Sequence, residues 1–559
     1  MQHSSRRRIA AIGLAAALAL AACGGTKKSD SASSGGTGGG SSSADSTKPT
    51  PGGTVTYGLE GVTKGFCLSD AQLAISGIQI ARSVFDTLTV PDSSGTMKPF
   101  LAKTIDHSAD YTTWTITLRD GVTFHNGSAL DATVVKNNLD AFRGKYVMPD
   151  GKPRNAPLFT GVLADIADVQ VKDPMTVVVT TTVPWVAFEG YLYSSGRLGM
   201  MAQAQLDDST GCAQNMIGTG PFKLTAPISD FNEIDLVKNA SYWQKDADGT
   251  QLPYLDKLIY KAIPEETVRE SALESGDLQM MHTTQGETIA QLRTLKDDPR
   301  FTITENAKGT EVQHLLLNSS TPPFNNLHAR RAVAYAFDSD KYNQLHNAGV
   351  QTRALSPFQE GEVGYLADPG LPTFDLQKAK DEAAAYQAET GIPLEFTYTT
   401  ADDANARKGG SYVQQFGQDA GIKVNLASEP QDTLIVDAVT NKVQGFGWRN
   451  HPQGDPDYQY VWWHSGSLVN FGHITDPKLD ALLEQGRSEP DPAKRKTIYE
   501  DLNKLFGEQV YNVWSFNALW TNGSAANVHG LYGPTLPDGS KPAENLPTGH
   551  SVAGLYISK

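Results

Sequence analysis

The residues most able to do chemistry in this 559-residue chain are three cysteines at 23, 67 and 212, twelve histidines and 62 carboxylates. Their spacing excludes most catalytic designs. No Gly-x-Ser-x-Gly elbow presents a serine nucleophile, and no His-Glu-x-x-His helix offers to hold zinc. The cysteines are too scattered for a zinc site and too few for a disulfide scaffold. Asp246-Ala247-Asp248-Gly249 has calcium-loop chemistry, but its glycine comes too early and no glutamate follows in register. Gly218-Thr219-Gly220-Pro221 lacks the Gly-Lys-Ser/Thr end of a phosphate loop, so Lys223 has no phosphate to hold. It predicts a tight turn, with the glycines free to take positive φ. His125, between a strand and the Asn126-Gly127 turn, is expected to be a hydrogen-bonded structural histidine, and Tyr242-Trp243 and Trp462-Trp463 are expected to pack. What remains is binding: no enzyme, no cofactor and no metal are expected.

Charge narrows the binding partners. Sixty-two acidic against 47 basic side chains leave a formal −15. Nucleic-acid phosphates and anionic lipid need clustered Lys and Arg, so neither is an expected partner. Hydrophobic residues at 39% can bury a large core, and the length predicts two to four folding units.

The N-terminus gives an address. Arg6, Arg7 and Arg8 precede an Ala/Leu/Ile run from Ile9 to Ala22, long enough for a signal-peptide core but short of the ~20 residues that span a bilayer. Leu20-Ala21-Ala22-Cys23-Gly24 resembles the bacterial lipoprotein lipobox. The resemblance implies cleavage before Cys23, diacylglycerol on its sulfur and anchoring to the membrane. Residues 1–22 are then signal peptide, and 23–51, poor in large apolar side chains, are a flexible tether. Cys67 and Cys212 would be left in an oxidising compartment, where a disulfide between them is expected; two buried free thiols are the other reading.

The elements that must position a site start at Gly52. Thr54 to Tyr57 and Trp114 to Leu118 alternate as strands, with Gly121 to Phe124 continuing after a turn, and Asp131 is placed to cap a helix. Val169 to Thr182 predicts a hairpin, and Glu265 to Leu273 a helix closed by Gly276. After residue 310 helix, glycine and strand alternate again: Val312–Asn318, Ala329–Phe337, Leu376–Ala388, Leu394–Tyr398, Tyr412–Ala420 and Ile422–Val424, with further helices at 479–483 and 495–505. Two such stretches predict two α/β lobes.

Several segments resemble, in order, the extracytoplasmic solute-binding proteins of the oligopeptide/dipeptide type, family 5, which feed ABC importers. They include Leu118-Arg119-Asp120-Gly121-Val122-Thr123-Phe124-His125-Asn126-Gly127, Gly218-Thr219-Gly220-Pro221-Phe222, Leu252-Pro253-Tyr254-Leu255-Asp256 and Arg330-Arg331-Ala332-Val333-Ala334-Tyr335. The resemblance implies a two-lobed periplasmic-binding-protein fold of the large cluster C, class II type. Residues 52–310 with 521–559 would form lobe 1, with an extra subdomain near 85–201, and 311–520 would form lobe 2. It further implies a monomer on the outer face of the cytoplasmic membrane, delivering its solute to an ABC permease.

In that family an extended peptide lies between the lobes, held by backbone hydrogen bonds, with its amino terminus on a carboxylate just after a Gly-Trp strand end. Phe446-Gly447-Trp448 match the strand end, but His451 stands where the carboxylate is expected, and a neutral imidazole offers no full negative charge. Asp455 or another acid would have to replace it, or the ligand lacks a free amine. Arg449 suits a carboxylate, Trp448 suits a pocket wall, and Tyr57 and Glu60 are expected to line the cleft from the other lobe. The predicted cargo is an oligopeptide or dipeptide; an oligosaccharide, metal chelate or haem is the alternative.

Overall fold

The computed structural model describes residues 48–450, 454–544 and 551–559. The predicted signal peptide, Cys23, nearly all of the tether and His451 lie outside the described residues. No helix among these is long and apolar enough to cross a membrane.

Two mixed sheets carry the molecule. The larger has seven strands in the order Phe301–Asn306, Trp520–Ala525, Met280–Thr283, Thr54–Leu59, Lys257–Ala262, Glu233–Lys238 and Phe222–Lys223. Thr54–Leu59 runs parallel to both its neighbours, and its last five residues are all buried. A strand covered on both faces needs this near-continuous burial, not alternation. The second sheet has six strands: Thr352–Arg353, Asn512–Asn517, Val312–Leu317, Gly445–Asn450, Glu395–Ala401 and Lys423–Glu429. Val312–Leu317 lies antiparallel to Gly445–Asn450, with His314 opposite Trp448.

The chain passes between these sheets twice, from Phe301–Asn306 to Val312–Leu317 and from Asn512–Asn517 back to Trp520–Ala525. The two passages are bonded to each other. Asn306 pairs with Trp520, the Ala518 N–H donates to the Glu311 carbonyl at 2.9 Å, and the Trp520 indole N–H donates to the Glu311 carboxylate.

A four-stranded antiparallel sheet, Ala102–His107, Thr113–Leu118, Thr176–Thr181 and Ile166–Asp173, stands apart from both. Against it packs the helix Ala132–Phe142, capped as its sequence predicts: Asp131 Oδ1 accepts from the Val134 N–H at 2.9 Å. Cys67 and Cys212 are joined by a disulfide, Cα–Cα 5.1 Å, with both residues buried.

Three local expectations differ from the structure. Gly121 to Phe124 forms no full strand, only a bridge from Thr123 to Ala129, because the Phe124 N–H turns back to the Ser128 carbonyl. The helix expected from Tyr412 begins earlier, as Ala404–Asp419, with Asp403 as its cap. Gly409 and Gly410 disguise that start, since glycine weakens a helix by about 1 kcal/mol. Here they admit close neighbours: a Cβ would lie 2.6 Å from Tyr342 Oη at Gly409 and 2.7 Å from Thr400 Cγ2 at Gly410. Gly218 and Gly220 likewise serve close approach and not positive φ, because a Cβ at Gly218 would sit 2.0 Å from the Val84 carbonyl oxygen.

Candidate functional site

The predicted residues converge from the two main sheets. Glu60 follows the strand Thr54–Leu59, and its N–H donates to His282 Nε2 at 3.3 Å. Burial holds its carboxyl above the usual range, opposed by the Arg449 and then the Arg269 guanidinium, while Glu266 and Glu311 push it up. Arg449 comes from the other sheet, on Gly445–Asn450, and its Nη1 donates to Thr284 Oγ1 at 3.1 Å. Thr284 directly follows Met280–Thr283 of the seven-stranded sheet. An acid beside one sheet and a base on the other are therefore near enough for the base to oppose the effect of burial on the acid.

Tyr57 is placed differently from its expectation. It is fully buried, packs 5.8 Å from Tyr260 and 5.7 Å from His282, and its hydroxyl accepts from Asn522 Nδ2 at 3.1 Å. It supports the floor from within. Phe446 is also fully buried, because alternation along its strand turns it inward. It meets Trp448 edge-on at 5.8 Å, and Phe471 meets the same indole at 5.2 Å. These rings hold Trp448, which is half-buried and whose Nε1 has no partner. Gly447 is exposed on the other face of the strand, where a Cβ would approach Tyr398 Oη at 3.0 Å.

Asp455 corrects a further expectation. Its two oxygens accept from Arg495 at 2.6 and 2.8 Å, and Oδ1 also accepts from the Asp457 N–H at 2.8 Å. Its charge is already paired and its shape is used as a helix cap, so it is not poised for a ligand's amine. His125 is structural as expected: its Nε2 meets the Gly220 carbonyl at 2.9 Å, and burial pushes its imidazole down to about 4. Among the described residues no cluster of His, Cys, Asp or Glu could hold a metal.

Sequence reasoning missed a second convergence. Asp457 is fully buried and accepts from Trp185 Nε1 at 2.9 Å and from Arg487 Nε at 3.1 Å. Arg487 also donates to Tyr191 Oη at 2.9 Å and to Asp165, and its guanidinium lies 3.6 Å from the Tyr460 ring centroid. The Asp455-Pro456-Asp457 motif is visible in the sequence; that Trp185, 272 residues before Asp457, and Arg487, 30 after it, would meet there is not.

A two-lobed α/β body whose chain crosses twice between its two main sheets is the solute-binding class of fold. The chain is similar over 91% of its length to the Helicobacter pylori ABC transporter-associated periplasmic binding protein DppA in complex with the peptide STSA (TM-score 0.78, 21% identity, 99% of that chain). It is 24% identical over 478 residues to the glutathione-binding protein GsiB of Pectobacterium atrosepticum, covering 82% of this chain and 87% of that one. It is 26% identical over 457 residues to the nickel-binding periplasmic protein of Escherichia coli, covering 77% and 82%. Residues 96–470 match the model of the bacterial extracellular solute-binding proteins, family 5. The chain belongs to that family. It is an extracytoplasmic substrate-binding protein of an ABC importer, not an enzyme.

Proposed function

We propose that this protein is a lipid-anchored receptor, held on the outer face of the cytoplasmic membrane through Cys23, that captures a dipeptide or oligopeptide between two closing lobes and passes it to the permease. The observation that carries the cargo assignment is that Arg449, on the six-stranded sheet, reaches the seven-stranded sheet at Thr284, at 3.1 Å, near enough to Glu60 for its charge to oppose the effect of burial on that carboxyl. A peptide brings an ammonium for Glu60 and a carboxylate for Arg449, so the acid lost at His451 is supplied from the opposite lobe. Each charge then meets an opposite charge of the ligand and is not stranded in a dry site. Ligand bridging both sheets favours the closed state by its differential affinity. Glutathione and STSA, named for two relatives, are peptides; nickel, named for a third, keeps a metal chelate, oligosaccharide or haem as the second reading.

The test is a shift in melting temperature across di- to octapeptides, sugars and metal chelates. Free peptides should stabilise the protein, and blocking either terminus should weaken the effect. Absence of peptide stabilisation at every length would reject the assignment. Membrane release of Cys23→Ser tests the anchor.

A further inference from the structure

The seam between the four-stranded subdomain and the helices beside the six-stranded sheet is built from residues of neither chain crossing. Its first side belongs with the seven-stranded sheet. The His125 N–H, after the strand Thr113–Leu118, donates to the Gly218 carbonyl at 2.9 Å, and the chain runs on from Gly218 into the strand Phe222–Lys223 of that sheet. Its second side belongs with the six-stranded sheet. Trp463, on the helix Gln459–Trp463, meets Trp514 of the strand Asn512–Asn517 edge-on at 5.5 Å.

Bonds cross this seam from one side to the other. Trp185 Nε1 donates to Asp457 Oδ2 at 2.9 Å. Tyr191 Oη donates to the Asp457 carbonyl at 3.1 Å and accepts from Arg487 Nη2 at 2.9 Å. The Val186 N–H donates to the Arg487 carbonyl at 3.0 Å, and Arg487 Nη1 donates to Asp165. Trp185, Tyr191, Asp457 and Arg487 are all buried. Hydrogen bonds to charged groups in such a place are the strong ones. The Lys408–Glu287 pair also reaches between the two halves, at 2.8 Å, but it lies in solvent, where ion pairs contribute little.

The crossing bonds are complete within the chain and need no atom of a cargo. Asp457 and Arg487 share one side of the seam. Turning the two main sheets apart about their crossings therefore leaves that pair intact and parts it from Trp185, Tyr191, Val186 and Asp165. The backbone at the seam is strained: Ser194 and Ser195, both buried, hold φ of 44° and 54°, and Ser194 Oγ lies 3.3 Å from Tyr458 Oη on the other side. Strain of this kind persists where the surroundings impose it, and it gathers at elements that switch.

We propose that this seam is a latch that holds the two lobes closed before cargo binds, with Trp185 and Asp165 as its positioning residues. Binding then draws on a closed form that is already the majority, and affinity scales with that closed fraction for every cargo alike. The latch rests on the reading of two closing lobes and not on a peptide as cargo.

The experiment uses the full chain with Cys23→Ser, Val171→Cys and Val436→Cys, spin-labelled at the two introduced thiols while Cys67–Cys212 stays oxidised. Val171 is 40% exposed on the subdomain and Val436 is 56% exposed beside the six-stranded sheet. Refolding frees the protein of co-purified solute, and pulsed dipolar spectroscopy reads the distance between the labels. This parent should show one main population, at the separation found in the structure. Adding Trp185→Phe and Asp165→Asn, which keep ring and shape but drop the indole donor and the charge, should raise the ratio of open to closed forms at least about tenfold. A parent that rests mainly at a longer distance overturns the proposal. So does an unmoved distance in the variant, even with a lowered melting temperature, because the seam is then fixed packing. Opening of the variant with no stabilisation of the parent by any peptide leaves the latch standing and removes the peptide reading; peptide stabilisation of a parent that rests open removes the latch alone.

Discussion

Arg487 and Asp457 form a buried ion pair, Nε to Oδ1 3.1 Å, at the seam where the four-stranded subdomain meets the helices beside the six-stranded sheet. Trp185, Tyr191 and Asp165 reach it from the subdomain side. Removing one partner of such a pair strands the other charge in a dry site. Arg487→Ala should therefore cost about 3–5 kcal/mol, read as a lower midpoint in denaturant. Arg487→Lys should recover only part, since a lysine cannot reproduce the guanidinium fork. Unaltered midpoints would show the pair to be idle.

The Cys67–Cys212 disulfide closes a loop of 145 residues. Loop-closure entropy assigns such a link about 5 kcal/mol. The double variant Cys67→Ala/Cys212→Ala should melt well below the oxidised parent, and added reductant should leave the variant's melting curve unmoved.

Glu362 predicts a signed pH dependence. Its carboxyl is raised from 4.5 to about 7 by burial, so between these values the folded chain holds a proton that the unfolded chain has released. Stability from this group is full below pH 4.5, falls as pH rises to about 7, and is level above it. Subtracting the stability profile of Glu362→Gln from that of the parent isolates the effect; a flat difference across that window would refute it.

If Arg449 takes the carboxylate end of a peptide, Arg449→Ala should weaken a peptide with a free carboxylate by about tenfold or more, in line with loss of one charge-assisted hydrogen bond, and change a C-amidated peptide little. Glu60→Gln should show the mirror pattern with N-acetylated peptides. Calorimetric titration reads both. Equal losses for free and blocked peptides would mean that neither side chain meets a terminus.

Local chemistry was legible in the sequence. Asp131 before an apolar-periodic segment predicts its helix, and the Asp131–Val134 bond is that prediction made physical. Long-range pairing was not. Glu60 and Arg449 lie almost four hundred residues apart, and nothing in either neighbourhood names the other. Phe446 and Trp448 fall together in the strand-end motif that the resemblance matches, although Phe446 is core and only Trp448 keeps an exposed part; the first residue of the matched motif holds the third. Asp455 looked like a spare acid because its consumer, Arg495, sits on a helix that sequence alone does not fold back onto it.

The paired crossings at Glu311 and Trp520 have a mechanical consequence. Two independent connections would let one half of the molecule tilt and twist freely against the other. Strands stitched together by the Asn306–Trp520 pairing and by both hydrogen bonds to Glu311 must bend as one piece. They make a single axle, and jaws on an axle have one angle to report. A donor and acceptor dye placed one on each jaw should relax with a single exponential after ligand mixing, whichever pair of sites carries them.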